Sequence, residues 1–167
     1  MAKNKPRMNL DGLDKIAKAI KESKLNRVQV GIFEDKNARI AGDLGNADIG
    51  ARMEFGFTIA EGPFAGVHVA PRSFLRMPIQ THIGEIGKTM HKTMQQDVVP
   101  LFFKDKMEFF FKNLGIACEK IIDQAFASSG WGTWKPNSPI TIILKSSDDP
   151  LIHTTQLRRS IASKVKK

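Results

Sequence analysis

The segment of residues 82–89, HIGEIGKT, contains residue types that are typical of phosphate-binding loops. Such a loop needs a glycine where His82 stands, and it follows a buried strand. This segment instead lies inside an apolar pattern with helical spacing. We therefore predict that Gly84 and Gly87 allow close helix packing and that the segment binds no nucleotide.

Three histidines offer little for a metal ion. His82 and His91 are nine residues apart, which is a rotation of about 180° on a helix, so their side chains point to opposite faces. Metal ligation needs side chains that converge, as at i, i+4 spacing. His68 alternates with valines, so we expect it to face solvent from a strand. We predict no metal site.

Nucleophilic catalysis is also a poor fit. Asp149, His153 and Ser160 are close in sequence, but a catalytic triad is a spatial arrangement, and proximity in sequence is no evidence for one. No glycine-flanked nucleophile turn occurs, and Cys118 lies in an apolar stripe, where a thiol acts as a small hydrophobe. We predict no catalytic residue, no cofactor and no enzymatic activity.

Size and composition indicate one domain over residues 1–167 that works inside a cell. The chain has an ordinary globular balance of 41% hydrophobic and 26% charged residues. It lacks an apolar run of about 18 residues and an apolar N-terminal signal segment, so we expect neither a membrane span nor secretion. The single cysteine, Cys118, excludes an internal disulfide and suits a reducing cytoplasm.

The net charge of +9 is concentrated at the two ends of the chain. Residues 1–40 hold ten Lys and Arg against five Asp and Glu, and residues 135–167 hold seven against two. Basic ends attract polyanions such as DNA, but they also occur as solvated tails. The candidate polyanion contacts are Arg158, Arg159, Lys164, Lys166 and Lys167. Trp131 and Trp134 stack on bases in one interpretation and anchor a core or interface in the other.

Short elements are predicted for the first half of the chain. Residues 1–8 form a basic arm, residues 9–23 an amphipathic helix, and residues 28–32 a half-buried strand. Residues 34–47, rich in Gly, Asn and Asp, form a mobile loop. Asp48 caps a short helix that Gly56 stops. A hairpin then joins strand-like residues 57–59 and 64–69.

Two long helices follow in the second half. The first runs from Ile79 to Pro100, which ends or kinks it. The second carries one continuous apolar stripe: Met107, Phe110, Phe111, Leu114, Cys118, Ile121, Ile122, Ala125 and Phe126. Residues 130–167 form a loop and a C-terminal arm, in which residues 151–165 are a short amphipathic end. We expect the stripe to lie on the sheet, on the other long helix or on a neighbouring subunit.

Five sequence blocks together resemble a bacteriophage family. They are VQVGIF at 28–33, IGARMEFG at 49–56, APRSFLR at 70–76, WKPNSP at 134–139 and PLIHTTQLRRSI at 150–161. In this order they resemble the virion-morphogenesis proteins of tailed phages, which complete the neck or tail in the head–tail joining region. The resemblance covers about residues 27–165. His153 stands where the family has Asp, and Thr155 where it has Gly.

The resemblance implies an α+β fold, in which a small antiparallel sheet is packed by long amphipathic helices, with extended loops and terminal arms. It implies a structural virion protein that forms a ring, sixfold, between the head connector and the tail tube. Its partners are copies of itself, the connector or head-completion protein, the tail terminator or tail tube protein, and passing phage DNA. The matching residues are Gly31, Glu54, Phe55, Gly56, Pro71, Arg72, Phe74, Arg76, Trp134, Pro136, Leu151, Leu157 and Ser160.

Period-four spacing of Arg72 and Arg76 around Phe74 predicts that these arginines pair with carboxylates such as Glu54. They are surface arginines in the alternative interpretation. The function also has alternatives: a basic DNA-binding accessory protein, a tail terminator, or a tail protein of a phage-derived particle that carries no DNA. Steep salt dependence of duplex binding would favour the DNA-binding protein.

Overall fold

Helices and short antiparallel strands together make an α+β fold, as predicted. The computed structural model describes residues 27–39, 44–96, 104–139, 141–142, 148, 150–151 and 155–166, together with Lys18 and Lys21. The helices are α1 (Asn46–Phe55), α2 (Arg76–Thr81), α3 (Ile83–Gln96), α4 (Lys104–Ala127) and α5 (Gln156–Ser160). The strands are β1 (Arg27–Ile32), β2 (Phe57–Thr58), β3 (His68–Val69) and β4 (Ile161–Lys166). Antiparallel sheets form from β1 with β4 and from β2 with β3.

The long helix α4 buries the apolar stripe that the sequence predicts. Its C-terminal half is buried at Cys118, Ile121, Ile122, Ala125 and Phe126. The earlier members Phe110, Phe111 and Leu114 are half-buried, and the side chain of Met107 lies outside the described part. The stripe packs on β1, β4, α2 and α3. Each large side chain buried there stabilises the fold by about 1.5–3 kcal/mol before conformational entropy is subtracted.

The predicted amphipathic end over residues 151–165 contains the short helix α5 and most of the strand β4. After the five-residue α5, β4 pairs with β1 with Ile161 opposite Ile32 and Lys166 opposite Arg27. Ile161 and Val165 are four residues apart, a spacing that places them on one face of a helix and also on one face of a strand. Because α4 packs on both β1 and β4, tertiary packing decides between the two patterns.

Gly115 allows α4 to lie directly on the β1–β4 sheet. A Cβ atom there would stand 2.3 Å from Ser163 Oγ and 2.7 Å from Ser163 Cβ. At Gly84 and Gly87 no atom of another described segment lies within 4 Å of the same position. The prediction of close packing at Gly84 and Gly87 is therefore wrong. Close packing occurs instead at Gly115 of α4.

The predicted first long helix is two helices. α2 ends before His82, whose Nδ1 lies 3.1 Å from the carbonyl oxygen of Pro78. The His82 imidazole stacks on the indole of Trp131 with centroids 3.9 Å apart. α3 then begins at Ile83. The break between α2 and α3 therefore coincides with the contact of His82 with Trp131, a residue far along the chain, and helical periodicity does not reveal it. Pro100 lies outside the described residues.

The predicted loop over residues 34–47 is ordered at both described ends. Residues 34–36 form a 3₁₀ turn, and α1 begins at Asn46 with Gly45 as its N-cap, three residues earlier than the predicted cap at Asp48. Asn46 is buried, its amide donates to the carbonyl oxygens of Lys36 and Ala38, and its Oδ1 accepts from Arg39. Asp48 is the third helical residue, and its carboxylate accepts from the N–H of Gly45.

Several predictions lie outside the described residues. These are the arm at 1–8, the helix at 9–23 apart from Lys18 and Lys21, residues 40–43, and Asp149, His153 and Lys167. Within the part that is described, no helix is both long enough and apolar enough to cross a membrane.

Replacing Gly115 by Ala will lower the free energy of unfolding by about 1–3 kcal/mol, because the added methyl group overlaps Ser163. The same substitution at Gly87 adds a methyl group into open space and will raise stability by about 0.5–1 kcal/mol, since alanine is the better helix former. Urea unfolding of both variants measures the two shifts. Equal effects at the two positions would contradict the assigned packing.

Candidate functional site

The carboxylate of Glu54, at the end of α1, is buried and fully bonded. It accepts from the backbone N–H groups of Phe74, Leu75 and Arg76 at 2.9, 2.9 and 3.1 Å, and from the Ser73 hydroxyl. These N–H groups lie at the N-terminus of α2, where backbone N–H groups lack intrahelical acceptors and the helix dipole is positive. A carboxylate from one helix therefore caps the next across a gap of about twenty residues.

Arg76 only touches the edge of this cap. Its Nε lies 3.9 Å from a Glu54 oxygen, and its side chain is 62% exposed. The predicted pairing of Arg76 with Glu54 is thus present, but as a long contact at the surface. Exposed pairs of this kind contribute little to stability.

Arg72 is buried and bonds to oxygens that carry no formal charge. Its Nε donates to the carbonyl oxygen of Lys135 at 2.9 Å, and its Nη2 donates to that of Pro136 at 3.1 Å. The same Nη2 lies 3.5 Å from Asn137 Oδ1. The predicted carboxylate partner is therefore wrong for Arg72, because the guanidinium holds the loop after Trp134 instead. Burial lowers the pKa of Arg72.

Trp134 closes the same group of segments. Its indole N–H donates to the carbonyl oxygen of Ser73 at 3.3 Å, and its ring packs edge to face with Phe126, with centroids 5.7 Å apart. Phe74 packs on Phe126 from another direction, with centroids 5.3 Å apart. Of the two interpretations of Trp134, core anchoring is the one observed, since the side chain is buried.

We name this group of residues the corner network: Glu54, Arg72, Ser73, Phe74, Trp134, Asn137 and the backbone of residues 135 and 136. It joins three segments of the chain by charge-assisted hydrogen bonds around two aromatic side chains. Both Glu54 oxygens accept hydrogen bonds from donors of the same chain. The arrangement holds these segments together.

Ser73 and Asn137 belong to this network but were not predicted. The Ser73 hydroxyl donates to Glu54 and accepts from the N–H of Met77. The Asn137 amide donates to the carbonyl oxygen of Asp148. A serine four residues before a helical N–H is a local capping signal that sequence analysis can use. Asn137 carries no such signal, since its partners lie far away in the chain.

Other residues of the resembling blocks surround the network. Gly56 has φ +75°, and a Cβ atom there would stand 2.9 Å from the carbonyl oxygen of Val69 and 3.0 Å from Pro71, so glycine is required. Gly31 has only Leu75 at 4.0 Å from its Cβ position. Pro71 and Pro136 are exposed, and Phe55 is 69% exposed. Phe55 therefore contributes no core packing.

The backbone is strained at Thr155, just before α5, which is one of the two positions where this sequence differs from the resembled family. Thr155 has φ 57° and ψ 1°, the left-handed conformation that a glycine at the resembled position adopts without cost. A β-branched residue is strained there by about 1–3 kcal/mol. Leu157 and Ser160 are buried just after it, and Leu151 is half-buried. The Ser160 hydroxyl donates to the carbonyl oxygen of Leu157.

The candidate polyanion contacts are partly occupied within the chain. Arg158 donates two hydrogen bonds to Asp123, at 2.5 and 2.7 Å. Lys164 bonds Asp35 at 2.6 Å, and its Nζ lies 4.5 Å from the Phe33 ring centroid.

Two further candidates remain accessible. Arg159 is exposed on α5, and Lys166 is exposed on β4, opposite the exposed Arg27. Lys167 lies outside the described residues. The basic surface that remains is therefore smaller than the sequence suggests.

No group of three or more His, Cys, Asp or Glu side chains is placed to hold a metal ion within the described part of the chain. Cys118 is buried, and that burial raises the pKa of its thiol, which keeps it protonated. Comparison with protein-family models, curated protein sequences and solved structures finds no match to this chain. The family resemblance therefore stays a prediction.

Replacing Glu54 by Gln will lower the free energy of unfolding by roughly 2–4 kcal/mol, because an amide group then faces N–H donors in a buried site. Arg76→Gln is the matched control, since it removes only the long exposed contact, and it will cost less than about 1 kcal/mol. Urea unfolding monitored by circular dichroism measures both. Comparable losses in the two variants would contradict the cap.

Hydrogen bonds from Arg158 hold the pKa of Asp123 below its usual value, with the Arg158 charge adding to the effect. Asp123 therefore stabilises the fold above the unfolded pKa of about 3.9, and this contribution is lost as pH falls through the lower folded pKa. Asp123→Asn will cost less than about 1 kcal/mol at neutral pH. In acid, the free energies of unfolding of Asp123→Asn and of the parent will approach each other, because Asp123 is then protonated in the parent.

The control for Asp123→Asn is Glu61→Gln, at the exposed tip of the hairpin. Unfolding of the parent and both variants is measured in urea across a pH series. A deficit of Asp123→Asn that is the same at neutral and acidic pH would show that the ion pair is not its cause.

Proposed function

We propose that this chain is a structural subunit of the head–tail joining region of a tailed-phage particle. It assembles with copies of itself into a ring, sixfold, between the head connector and the tail tube. It is made in the host cytoplasm and becomes part of the virion neck. Its further partners are the connector or head-completion protein on one side and the tail terminator or tail tube protein on the other.

The observation that carries this proposal is the convergence of the resembling blocks in the corner network. Glu54 comes from the block at 49–56, Arg72 and Phe74 come from the block at 70–76, and Trp134 comes from the block at 134–139. If the similarity of these blocks to the family arose by chance, we would not expect their matching residues to bond to one another in the folded chain. Their mutual bonding supports a resemblance at the level of the fold and with it the family's structural role.

Exposed apolar side chains support association with other protein surfaces. The hairpin between β2 and β3 presents Phe64 and Val67 to solvent, and Phe109 and Ile116 are more than half exposed on α4. Large apolar side chains exposed on a folded subunit are typical of interaction surfaces when they cluster. Head-to-tail contacts between different surfaces of identical subunits close into rings when the rotation between neighbours permits.

One observation favours the alternative, a DNA-binding accessory protein. Arg27 and Lys166 stand directly opposite each other on β1 and β4, and like charges in that position repel unless an anion lies between them. Against it, Arg158 and Lys164 are bonded to carboxylates of the same chain. The ring subunit therefore remains the better supported function.

Sedimentation and native mass spectrometry of the purified chain, followed by electron microscopy, test the proposal. We expect a closed ring of identical subunits with a central opening. Duplex DNA binding is measured in parallel over a salt series. A DNA-binding protein loses affinity with a logarithmic slope of about −0.9 for each phosphate contact. A monomer that binds duplex DNA with such a slope would contradict the ring and support the alternative.

A further inference from the structure

The two-stranded β1–β4 sheet has one face covered by α4 and a second face that points away from α4. Val28 and Ser163 point toward α4, since both lie against the position that a Cβ atom of Gly115 would take. Side chains alternate between the faces of a strand, and directly opposed residues share a face. We name the second face the ribbon face. It carries three cross-strand pairs: Arg27 with Lys166, Gln29 with Lys164, and Gly31 with Ala162.

The ribbon face has an excess of positive charge. Arg27, Lys164 and Lys166 are all exposed. Lys164 bonds the Asp35 carboxylate at 2.6 Å. Within the described part of the chain, neither Arg27 nor Lys166 contacts a carboxylate. Two cations of this face are therefore uncompensated, and both lie at the end where β1 begins and β4 ends.

These two cations are placed directly opposite each other. Arg27 and Lys166 are register partners, and like charges in that position on neighbouring strands repel. A phosphate group between them accepts a charge-assisted hydrogen bond from each, so the repulsion is replaced by attraction. The pair therefore indicates an anionic partner at this end of the ribbon face.

Shape and composition favour duplex DNA as that partner. The major groove of B-DNA admits a two-stranded β-ribbon. Arg and Lys neutralise phosphates, and the amide of Gln29 can bond phosphate oxygens or base edges. A protein partner requires apolar or aromatic anchors at the centre of the interface. No side chain of the three pairs on the ribbon face is both large and apolar.

We infer that the ribbon face binds the phosphate backbone of duplex DNA, with Arg27 and Lys166 as its two main contacts. Lys164 is a third contact, for which the Asp35 carboxylate competes with phosphate. So few contacts bind one subunit weakly, because affinity grows with the number of neutralised phosphates. Identical subunits around one duplex add their contacts through multivalency. The inference goes beyond the proposed ring and applies to a ring and to a single subunit alike.

DNA binding by the full chain tests the two main contacts. Fluorescence anisotropy of a labelled duplex of arbitrary sequence is measured between about 50 and 200 mM salt. The double variant Arg27→Gln, Lys166→Gln will bind more weakly, and its logarithmic salt slope will be smaller by about 1.8 for each bound subunit, or about 0.9 for each lost phosphate contact. The matched control is Lys88→Gln, Lys92→Gln on exposed positions of α3, which loses the same charge and will keep the parental slope.

The third contact is tested through a gain of affinity. Asp35→Asn removes the carboxylate that bonds Lys164, so it will strengthen DNA binding and increase the slope by about 0.9 for each bound subunit. In the Lys164→Gln background the same substitution will leave the slope unchanged, because the ammonium group that it frees is absent. Circular dichroism of each variant checks that the fold is kept.

Three outcomes would overturn the inference. The first is a parent chain that binds no duplex DNA. The second is an equal loss of affinity in the ribbon-face variant and in the α3 control, because net charge alone would then account for binding. The third is a ribbon-face variant that keeps parental DNA affinity but loses affinity for polyglutamate, since the face would then fit an acidic protein.

Sedimentation of the same samples separates the inference from the proposed function. DNA binding that depends on the ribbon face, in a chain that stays monomeric, supports the inference and contradicts the ring. A ring whose DNA affinity does not change when Arg27 and Lys166 are replaced supports the proposed function and overturns the inference.

Discussion

The fold depends on how one buried carboxylate is satisfied. Glu54 would be costly to bury alone, and it is held by three backbone N–H groups and one hydroxyl at the start of α2. That bonding sets the position of α1 against α2 and so aims Phe74 into the core. Arg72, two residues earlier, then fixes the loop after Trp134 through its backbone carbonyls.

The corner network borders two further features of the molecule. Its charged groups already have hydrogen-bond partners within the chain. Arg72 and residues 135–137 contribute to the lining of the apolar cleft beside α1. Trp134 is buried three residues after the partly exposed Trp131, so the network also positions the loop that carries Trp131.

Part of the fold, including the apolar stripe of α4 and the role of Gly56, could be predicted from the sequence. The α4 stripe was found because its spacing is long and unambiguous, and Gly56 was found because glycine tolerates a positive φ. β4 was missed because five residues fit both periods and its partner β1 lies more than 120 residues away. Arg72 was assigned the wrong kind of partner, since spacing indicates neither burial nor carbonyl acceptors. The cleft gave no local signal, because it arises from segments that meet only in the folded chain.

Hydrogen exchange of the backbone N–H groups of Phe74, Leu75 and Arg76 tests the central claim most directly. If the Glu54 carboxylate organises the fold, these three amides exchange only through global unfolding, at a common free energy equal to that measured in urea. They then stand apart from the amides of Glu61 and Gly62 at the exposed tip of the hairpin. Exchange of the three amides at the rate of that hairpin would contradict the account, because the cap would then open without the rest of the structure.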